Sequence, residues 1–184
     1  MELGAKAAIG RAAAALLRPG QTVVIDVGTT AVEVARAVPG DFHGVVATSS
    51  LRVAGVLAGR SGIEVLVAGG RVREGDLAVC GAQAVAFFDD LCPDIAFVGS
   101  GGVSASGLTD YHLDEAASRR VMISRSARSY ALVDHSKIGR TAPYRVCGLE
   151  QLSGIITDRQ PNTDQREVVD AVAELLVATP SSEL

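Results

Sequence analysis

The feature that most constrains the fold is a series of short apolar runs that alternate with helix-forming segments. Each run is mostly Val, Ile, Leu and Ala without a two-residue alternation, and therefore predicts a strand buried on both faces. The predicted strands are Thr22 to Val27, Gly44 to Thr48, Ile63 to Ala68, Asp94 to Val98, Ser129 to Val133 and Gly154 to Thr157. The predicted helices lie at about 30–38, 50–59, 81–90, 113–126 and 164–178. This order predicts right-handed βαβ crossovers and an α/β fold, with a mainly parallel sheet flanked by helices.

The other segments are consistent with a single domain that spans residues 1–184. Residues 4–17 are rich in Ala and predict an N-terminal helix, which Pro19 and Gly20 terminate. Residues 139–152 are the least regular part of the chain, and we expect a small strand insertion there, such as a strand pair. Residues 179–184 are expected to fray.

Composition argues against several classes of protein. Aromatic residues make up only 4% of the chain and Trp is absent, so stacking platforms for single-stranded nucleic acid are not expected. The net charge of −4 gives no basic face for DNA. Three widely spaced cysteines and three histidines fit neither a disulfide framework nor a zinc cluster, and we expect no metal and no cofactor. No signal peptide or bilayer-length apolar run is visible, which predicts a cytoplasmic protein without a membrane partner.

Two loops rich in hydroxyl groups follow the first two predicted strands. The candidates in these loops are Gly28, Thr29, Thr30, Thr48, Ser49 and Ser50. Backbone N–H groups at the start of a helix bind anions, and a parallel sheet would bring both loops to the same edge. A hydroxyl that only caps the following helix would explain either loop as well.

Glycines and charged residues at later strand ends extend the candidate site. They are Gly69, Gly70, Arg71, Gly99, Ser100, Gly101, Gly102, Glu115 and Lys137. The glycines would let backbone N–H groups approach an oxyanion, the cations would pair with phosphate, and the carboxylate would accept hydrogen bonds from sugar hydroxyls or act as a general base. Ordinary turns, solvated cations and a favourable helix-dipole contact are the structural alternatives. The glycine loop does not match the dinucleotide fingerprint, because Ser104 stands where the third glycine is required.

Taken together, these loops resemble the C-terminal sensor domain of DeoR-type transcriptional regulators over about residues 5–160. The matching motifs are Asp26 to Thr30, Thr48 to Ser50, Gly69-Gly70, Gly81, Phe97 to Val103, Gly107 to Thr109, Glu115-Ala116, Asp134 to Lys137 and Ile155 to Asp158. The resemblance implies a fold like that of ribose-5-phosphate isomerase and CoA transferases. It also implies a non-enzymatic domain that binds a phosphorylated sugar or polyol as its effector and belongs to a regulator of sugar metabolism.

The resemblance also assigns roles to the residues. The loops at Gly28 to Thr30 and Thr48 to Ser50 would hold the phosphate with Lys137, whereas Asp26, Gly99 to Gly102 and Glu115 would face the sugar. Ser49, where the family often has Asn, and His135, within the Asp-x-Ser-Lys motif, depart from the pattern. In such regulators an N-terminal helix-turn-helix module binds DNA. We expect that module to be missing here, the first helix to lead from it, and the full-length repressor to form a dimer or tetramer.

Two alternative functions remain. A sugar-phosphate isomerase of this fold needs a carboxylate beside the substrate carbon, and such enzymes resemble one another in an Asp-Gly-Ala-Asp-Glu segment. This chain instead has Gly99-Ser100-Gly101-Gly102-Val103, which contains no acid. An oligomerisation module whose loops only cap helices is the other alternative, and it predicts no stabilisation by ligand.

Overall fold

A seven-stranded parallel sheet lies at the centre of the computed structural model, which describes residues 3–178. The helices are α1 (Leu3–Ala14), α2 (Thr29–Ala37), α3 (Leu51–Leu57), α4 (Ala82–Asp89), α5 (Leu113–Arg125) and α6 (Arg166–Ala171). The strands are β1 (Thr22–Ile25), β2 (Gly44–Thr48), β3 (Ile63–Val67), β4 (Arg71–Val72), β5 (Val79–Cys80), β6 (Ile95–Val98), β7 (Gly102–Ser104), β8 (Gly107–Asp110), β9 (Arg128–Leu132), β10 (Tyr144–Cys147), β11 (Gly154–Thr157) and β12 (Leu175–Val177). The expected fraying of 179–184 lies outside the described residues.

The strand order in the main sheet is β12-β11-β9-β6-β1-β2-β3, and each neighbouring pair is parallel. The predicted α/β class with a parallel sheet is therefore confirmed. Because all the strands run in the same direction, the loops that follow β1, β6 and β9 meet at one edge, near the middle of the sheet.

Helices and small strands cover both faces of the sheet, which explains why its strands are continuously apolar. On one face, Val23, Ile25 and Phe97 pack against α1, α2 and α3. On the other face, Val24 and Val98 pack against α4, α5 and the small strands. Within residues 3–178, no helix combines the length and the apolar character that crossing a bilayer requires.

Two small antiparallel sheets lie beside the main sheet. Strands β7 and β8 pair with each other, and β8 also pairs with β10, whereas β4 and β5 form a hairpin. The segment 139–152 thus contributes one strand, Tyr144–Cys147, to a sheet whose other strands come from residues 102–110. It does not contain a strand pair of its own.

The predicted helix at 164–178 is wrong in its second half. After a short 3-10 helix, Thr163–Gln165, the helix α6 ends at Ala171, and Leu175–Val177 forms the edge strand β12. This strand pairs with β11, and the N–H of Ile155 donates to the carbonyl of Glu174 at 2.9 Å. A short apolar run fits a helix or a strand equally well, and here the unpaired backbone of β11 decides between them.

Candidate functional site

A polar cavity of about 330 Å³ lies where the carboxyl ends of the central strands meet. Side chains and backbone from α1, α2, α5, the β4–β5 hairpin and three strand-end loops form its walls. The polar and glycine residues that line it are Lys6, Gly28, Thr29, Thr30, Arg73, Asp76, Gly99, Ser100, Gly101, Asp110, Tyr111, His112, Glu115, Arg119 and Lys137. The cavity thus brings together the first hydroxyl loop, most of the glycine loop, Glu115 and Lys137.

The N-terminus of α2 opens into this cavity without a capping side chain. Gly28, the N-cap residue, has φ 108° and no side-chain hydrogen bond, so the first N–H groups of α2 lack a cap. The positive φ requires glycine. Gly28 and Thr29 are exposed, whereas Thr30 is buried. An open helix start of this kind carries partial positive charge and donor groups directed at whatever occupies the cavity.

The second hydroxyl loop is closed off. Thr48, Ser49 and Ser50 are all buried and do not line the cavity. The Ser50 hydroxyl caps α3 by accepting from the N–H of Val53 at 3.2 Å, and the hydroxyl of Thr48 accepts from the N–H of Ser50 at 3.0 Å. The β4–β5 hairpin covers the loop, since the N–H of Val79 donates to the carbonyl of Ser49 at 2.7 Å. Helix capping accounts for this loop.

The glycine loop is shaped by close packing. The N–H of Gly99 donates to Oδ2 of Asp26 at 2.8 Å, and the N–H of Gly101 donates to the carbonyl of Thr109 at 2.9 Å. These two N–H groups therefore have acceptors within the protein. The predicted convergence of the two groups on an oxyanion is not seen. A Cβ at Gly99 would lie 2.9 Å from Nη2 of Arg119, so a side chain there would displace that guanidinium.

Four more predicted site residues lie away from the cavity. Gly102 belongs to β7, and a Cβ there would lie 2.5 Å from the carbonyl oxygen of Arg140. Gly69 and Gly70 precede the β4–β5 hairpin, and Arg71 is exposed, with Nη2 3.5 Å from Oδ2 of Asp114. The structure does not bring these four residues to the strand-end site.

Beneath the cavity, Arg119 is surrounded by three carboxylates. Its Nε lies 2.5 Å from Oδ2 of Asp26 and its Nη2 lies 2.8 Å from Oε2 of Glu115, while Nη1 donates to Asp110. Asp26 is only 2% exposed and does not line the cavity, in contrast to its predicted place, whereas Asp110 and Glu115 do line it.

Electrostatics hold this network in its charged form. Burial alone would lower the pKa of Arg119, but the charges of Asp26, Asp110 and Glu115 raise it above its ordinary value. Arg73 donates to Asp76 and to Glu115, and these bonds raise the pKa of its guanidinium too. Glu115 is thus held between two arginines, and the β4–β5 hairpin is tied to the wall of the cavity.

Two lysines line the cavity. Nζ of Lys6, on α1, donates to the Thr29 hydroxyl, and Nζ of Lys137 donates to the carbonyl of Ser100 at 2.7 Å. Burial is the main cause that lowers the pKa of Lys137 below its ordinary value. Lys137 is where the sequence predicted a phosphate contact, whereas Lys6 was not predicted.

The predicted candidates do not include five charged residues of the site: Lys6, Arg73, Asp76, Asp110 and Arg119. The spacing of Arg119 four residues after Glu115 on a predicted helix was an available signal for their ion pair. The hairpin residues and Lys6 carry no such local signal. Within residues 3–178, no group of His, Cys, Asp and Glu is arranged to hold a metal ion.

The parallel sheet and the polar cavity at its carboxyl edge define an α/β domain with a candidate site for a small ligand. The chain belongs to the DeoR C terminal sensor domain family, whose model matches residues 2–159. This confirms the resemblance seen in the motifs.

Named relatives of the chain are regulators of transcription. It is 32% identical over 175 residues to the HTH-type transcriptional repressor GlcR of Bacillus subtilis, covering 95% of this chain and 67% of that protein. It is 34% identical to the HTH-type transcriptional regulator GlpR of Haloferax volcanii, with coverage of 95% and 69%. The glycerol-3-phosphate regulon repressor of Escherichia coli is 28% identical, with coverage of 89% and 66%. The chain thus spans about two thirds of their length, and their names support a non-enzymatic sensor domain.

Solved structures with low sequence identity share the fold. Ribose 5-phosphate isomerase A from Methanocaldococcus jannaschii is 17% identical with a TM-score of 0.50, covering 72% of this chain and 52% of that one. The eIF2B delta subunit from Chaetomium thermophilum is 16% identical with a TM-score of 0.57, covering 82% and 54%. The predicted likeness to the isomerase fold is thereby confirmed.

Proposed function

We propose that this chain binds a phosphorylated sugar or polyol and serves as the effector domain of a DNA-binding repressor. The observation that carries the proposal is the uncapped N-terminus of α2, which opens between Lys6 and Lys137 into the cavity. Uncapped backbone N–H groups, a helix dipole and two ammonium groups together favour a dianion such as a phosphate group. The neighbouring helix α3 is capped by Ser50, so the phosphate is assigned to α2 alone.

The carboxylates in the cavity wall suit hydroxyl groups. Asp110 and Glu115 accept hydrogen bonds from a polyol, and Tyr111 and His112 border the same space. Four carboxylates pair with only two guanidinium groups in the network of Arg73 and Arg119, so this network is net negative. A second anionic group on the ligand would be repelled there. We therefore assign the site to monophosphates whose remaining groups are uncharged.

An isomerase would need a carboxylate free to move a proton between two substrate carbons. Glu115 is the acid best placed in the cavity, but Arg119 and Arg73 both donate to it. Because each oxygen of this carboxylate already accepts from a guanidinium group, the geometry favours a role in binding over proton transfer.

The names of the relatives support a role in repression, and one of them controls a glycerol-3-phosphate regulon. DNA binding would belong to a helix-turn-helix module outside this chain, in keeping with the net charge of −4. Operators read by such modules are commonly two-fold symmetric, so we propose that the full regulator acts as a dimer or tetramer.

The test is a thermal-shift panel on the purified chain. Glycerol 3-phosphate, ribose 5-phosphate, glucose 6-phosphate and fructose 6-phosphate are each compared with the unphosphorylated parent and with fructose 1,6-bisphosphate. A ligand at about 100 times its dissociation constant adds about 2.7 kcal/mol of stability. We expect one or more monophosphates to raise the melting temperature, with no effect of their parents and a smaller effect of the bisphosphate. No shift with any phosphorylated compound would reject the proposal in favour of an oligomerisation module.

A further inference from the structure

Lys6 and Lys137 are the only lysines in the chain, and every other permanently cationic side chain is an arginine. Both lysines line the same cavity, although they are 131 positions apart and belong to different layers of the fold. An ammonium group is a compact point charge that can approach a phosphate oxygen, whereas a guanidinium group is broad and planar. Both lysine side chains of this arginine-rich chain therefore line the same polar cavity.

The two ammonium groups belong to different segments of the fold and line the same cavity. Lys6 donates to Thr29, the first residue of α2, and Lys137 donates to the carbonyl of Ser100. They are close enough for the charge of Lys6 to contribute to the lowered pKa of Lys137. An anion bound between them would relieve this repulsion, because its charge attracts both groups.

The position of Lys6 depends on the close packing of α1 against α2. A Cβ at Gly10 would lie 2.6 Å from the carbonyl carbon of Glu33, so only glycine lets the two helices approach this closely. Ile9 and Ala13 are fully buried on the same side of α1. The preceding residues from Gly4 to Ala7 are exposed or half-buried, and Lys6 provides a polar contact from this part of α1 to α2.

We infer that Lys6 is a direct ligand of the effector's phosphate group, and that phosphate binding fastens the first turns of α1 to α2. This inference rests on the proposed function. With phosphate bound, Lys6, the N-terminus of α2 and Lys137 all contact the same dianion, so part of the binding free energy acts on α1. The site thereby includes a helix that lies outside the sheet edge where ligands of such folds are expected.

The scarcity of lysine gives a direct test. The chain is treated with an amine-acylating reagent in increasing inorganic phosphate, with sodium chloride at matched ionic strength as the control for screening. Modification of Lys6 and of Lys137 is followed by mass spectrometry. We expect phosphate to protect both lysines with the same half-saturating concentration.

Variants of Lys6 test whether its side chain contacts the phosphate directly. In Lys6→Gln, the phosphate concentration that half-protects Lys137 should rise roughly 10- to 100-fold, as expected for loss of a charged hydrogen bond. The matched control is Arg11→Gln, which removes one charge from an exposed position of the same helix and should leave protection unchanged. Amide hydrogen exchange of α1 should slow with phosphate in the wild type and in the control, but not in Lys6→Gln.

The failures of the two proposals are distinguishable. Protection of Lys137 with unchanged half-saturation in Lys6→Gln, or protection of Lys137 but not of Lys6 in the wild type, would overturn the role of Lys6 alone. Absence of stabilisation by every phosphorylated compound of the panel would instead remove the proposed function, and this inference with it. Circular dichroism of Lys6→Gln confirms that the variant folds, because Gln is a good helix former at this half-buried position.

Discussion

Replacing Arg119 with Met would leave three carboxylates facing one another without their shared cation. The Arg119 side chain is 3% exposed, and those of Asp26 and Asp110 are 2% and 6% exposed. Met has a similar length and fills most of the space of the removed side chain. The variant therefore reports the loss of charge and hydrogen bonds more than the loss of volume.

The expected loss of stability follows from this burial. Removing one partner of a buried ion pair costs about 3–5 kcal/mol, because the remaining charge stays buried without compensation. For a chain of this size each kcal/mol corresponds to about 2–4 °C, so the melting temperature should fall by roughly 6–20 °C at neutral pH.

The loss should also depend on pH. Without Arg119, the buried carboxylates repel one another and lack a counter-charge, which disfavours full ionisation of the cluster in the folded variant. The folded variant then binds protons more readily than its unfolded chain, so its stability relative to the wild type should recover as the pH falls from about 8 to about 5. Urea denaturation across this range measures the change.

The matched control is Arg120→Met, one position along α5. Arg120 is exposed and donates to the carbonyl of Arg145, so it faces no buried carboxylate. Its loss should cost less than about 1 kcal/mol and show no recovery at low pH. Equal stability of the two variants at neutral pH, or a deficit in Arg119→Met that does not shrink with acid, would refute the electrostatic account of this network.

Three further predictions concern the core, the pH response and the ligand. Phe97→Ala empties a fully buried position in β6 and should lower the free energy of unfolding by about 3–5 kcal/mol in urea titrations; a loss below about 1 kcal/mol would contradict the packing described here. Although burial acts to raise the pKa of Asp158, hydrogen bonds from His135 lower it below its ordinary 3.8, so its contribution is present above that pH and is lost as the pH falls through the folded value. The stability difference between the wild type and Asp158→Asn should therefore shrink in acid, and a pH-independent difference would exclude this pair as the cause. Lys137→Met should weaken a phosphorylated ligand far more than its unphosphorylated parent in calorimetric titrations, and the wild type should lose affinity as the pH rises toward the lowered pKa of Lys137; equal losses for both compounds would remove Lys137 from the phosphate site.

Local sequence was sufficient for most of the fold because burial on both faces leaves a strong pattern. Runs such as Val23 to Ile25 and Ile95 to Val98 are apolar throughout, which marks central strands of a parallel sheet. The local pattern predicts a helix at Leu175–Val177 because it carries no information about the pairing of this segment with β11. The choice between helix and strand there depends on backbone pairing that no local pattern reveals.

The candidate site was predictable only in part, for the same reason. Gly28-Thr29-Thr30 and Thr48-Ser49-Ser50 look alike in sequence, and each follows a strand of the same sheet. The structure separates them, because Ser50 caps its own helix and the β4–β5 hairpin covers the second loop, whereas the first stays open. The cap is local, but the covering hairpin contact comes from Val79, 30 positions after Ser49, and no local pattern reveals it.

By itself the sequence determined the layers of the fold, the edge where the strand-end loops gather, and the family. These follow from periodicity and from short motifs, which act through neighbouring residues. Tertiary structure alone decided which loop stays open, that Arg119 holds Asp26, Asp110 and Glu115 together, and that Lys6 and Lys137 line one cavity. Those contacts bring together residues as far apart in the sequence as Asp26 and Arg119. Their hydrogen bonds and ion pairs form only when the chain has packed.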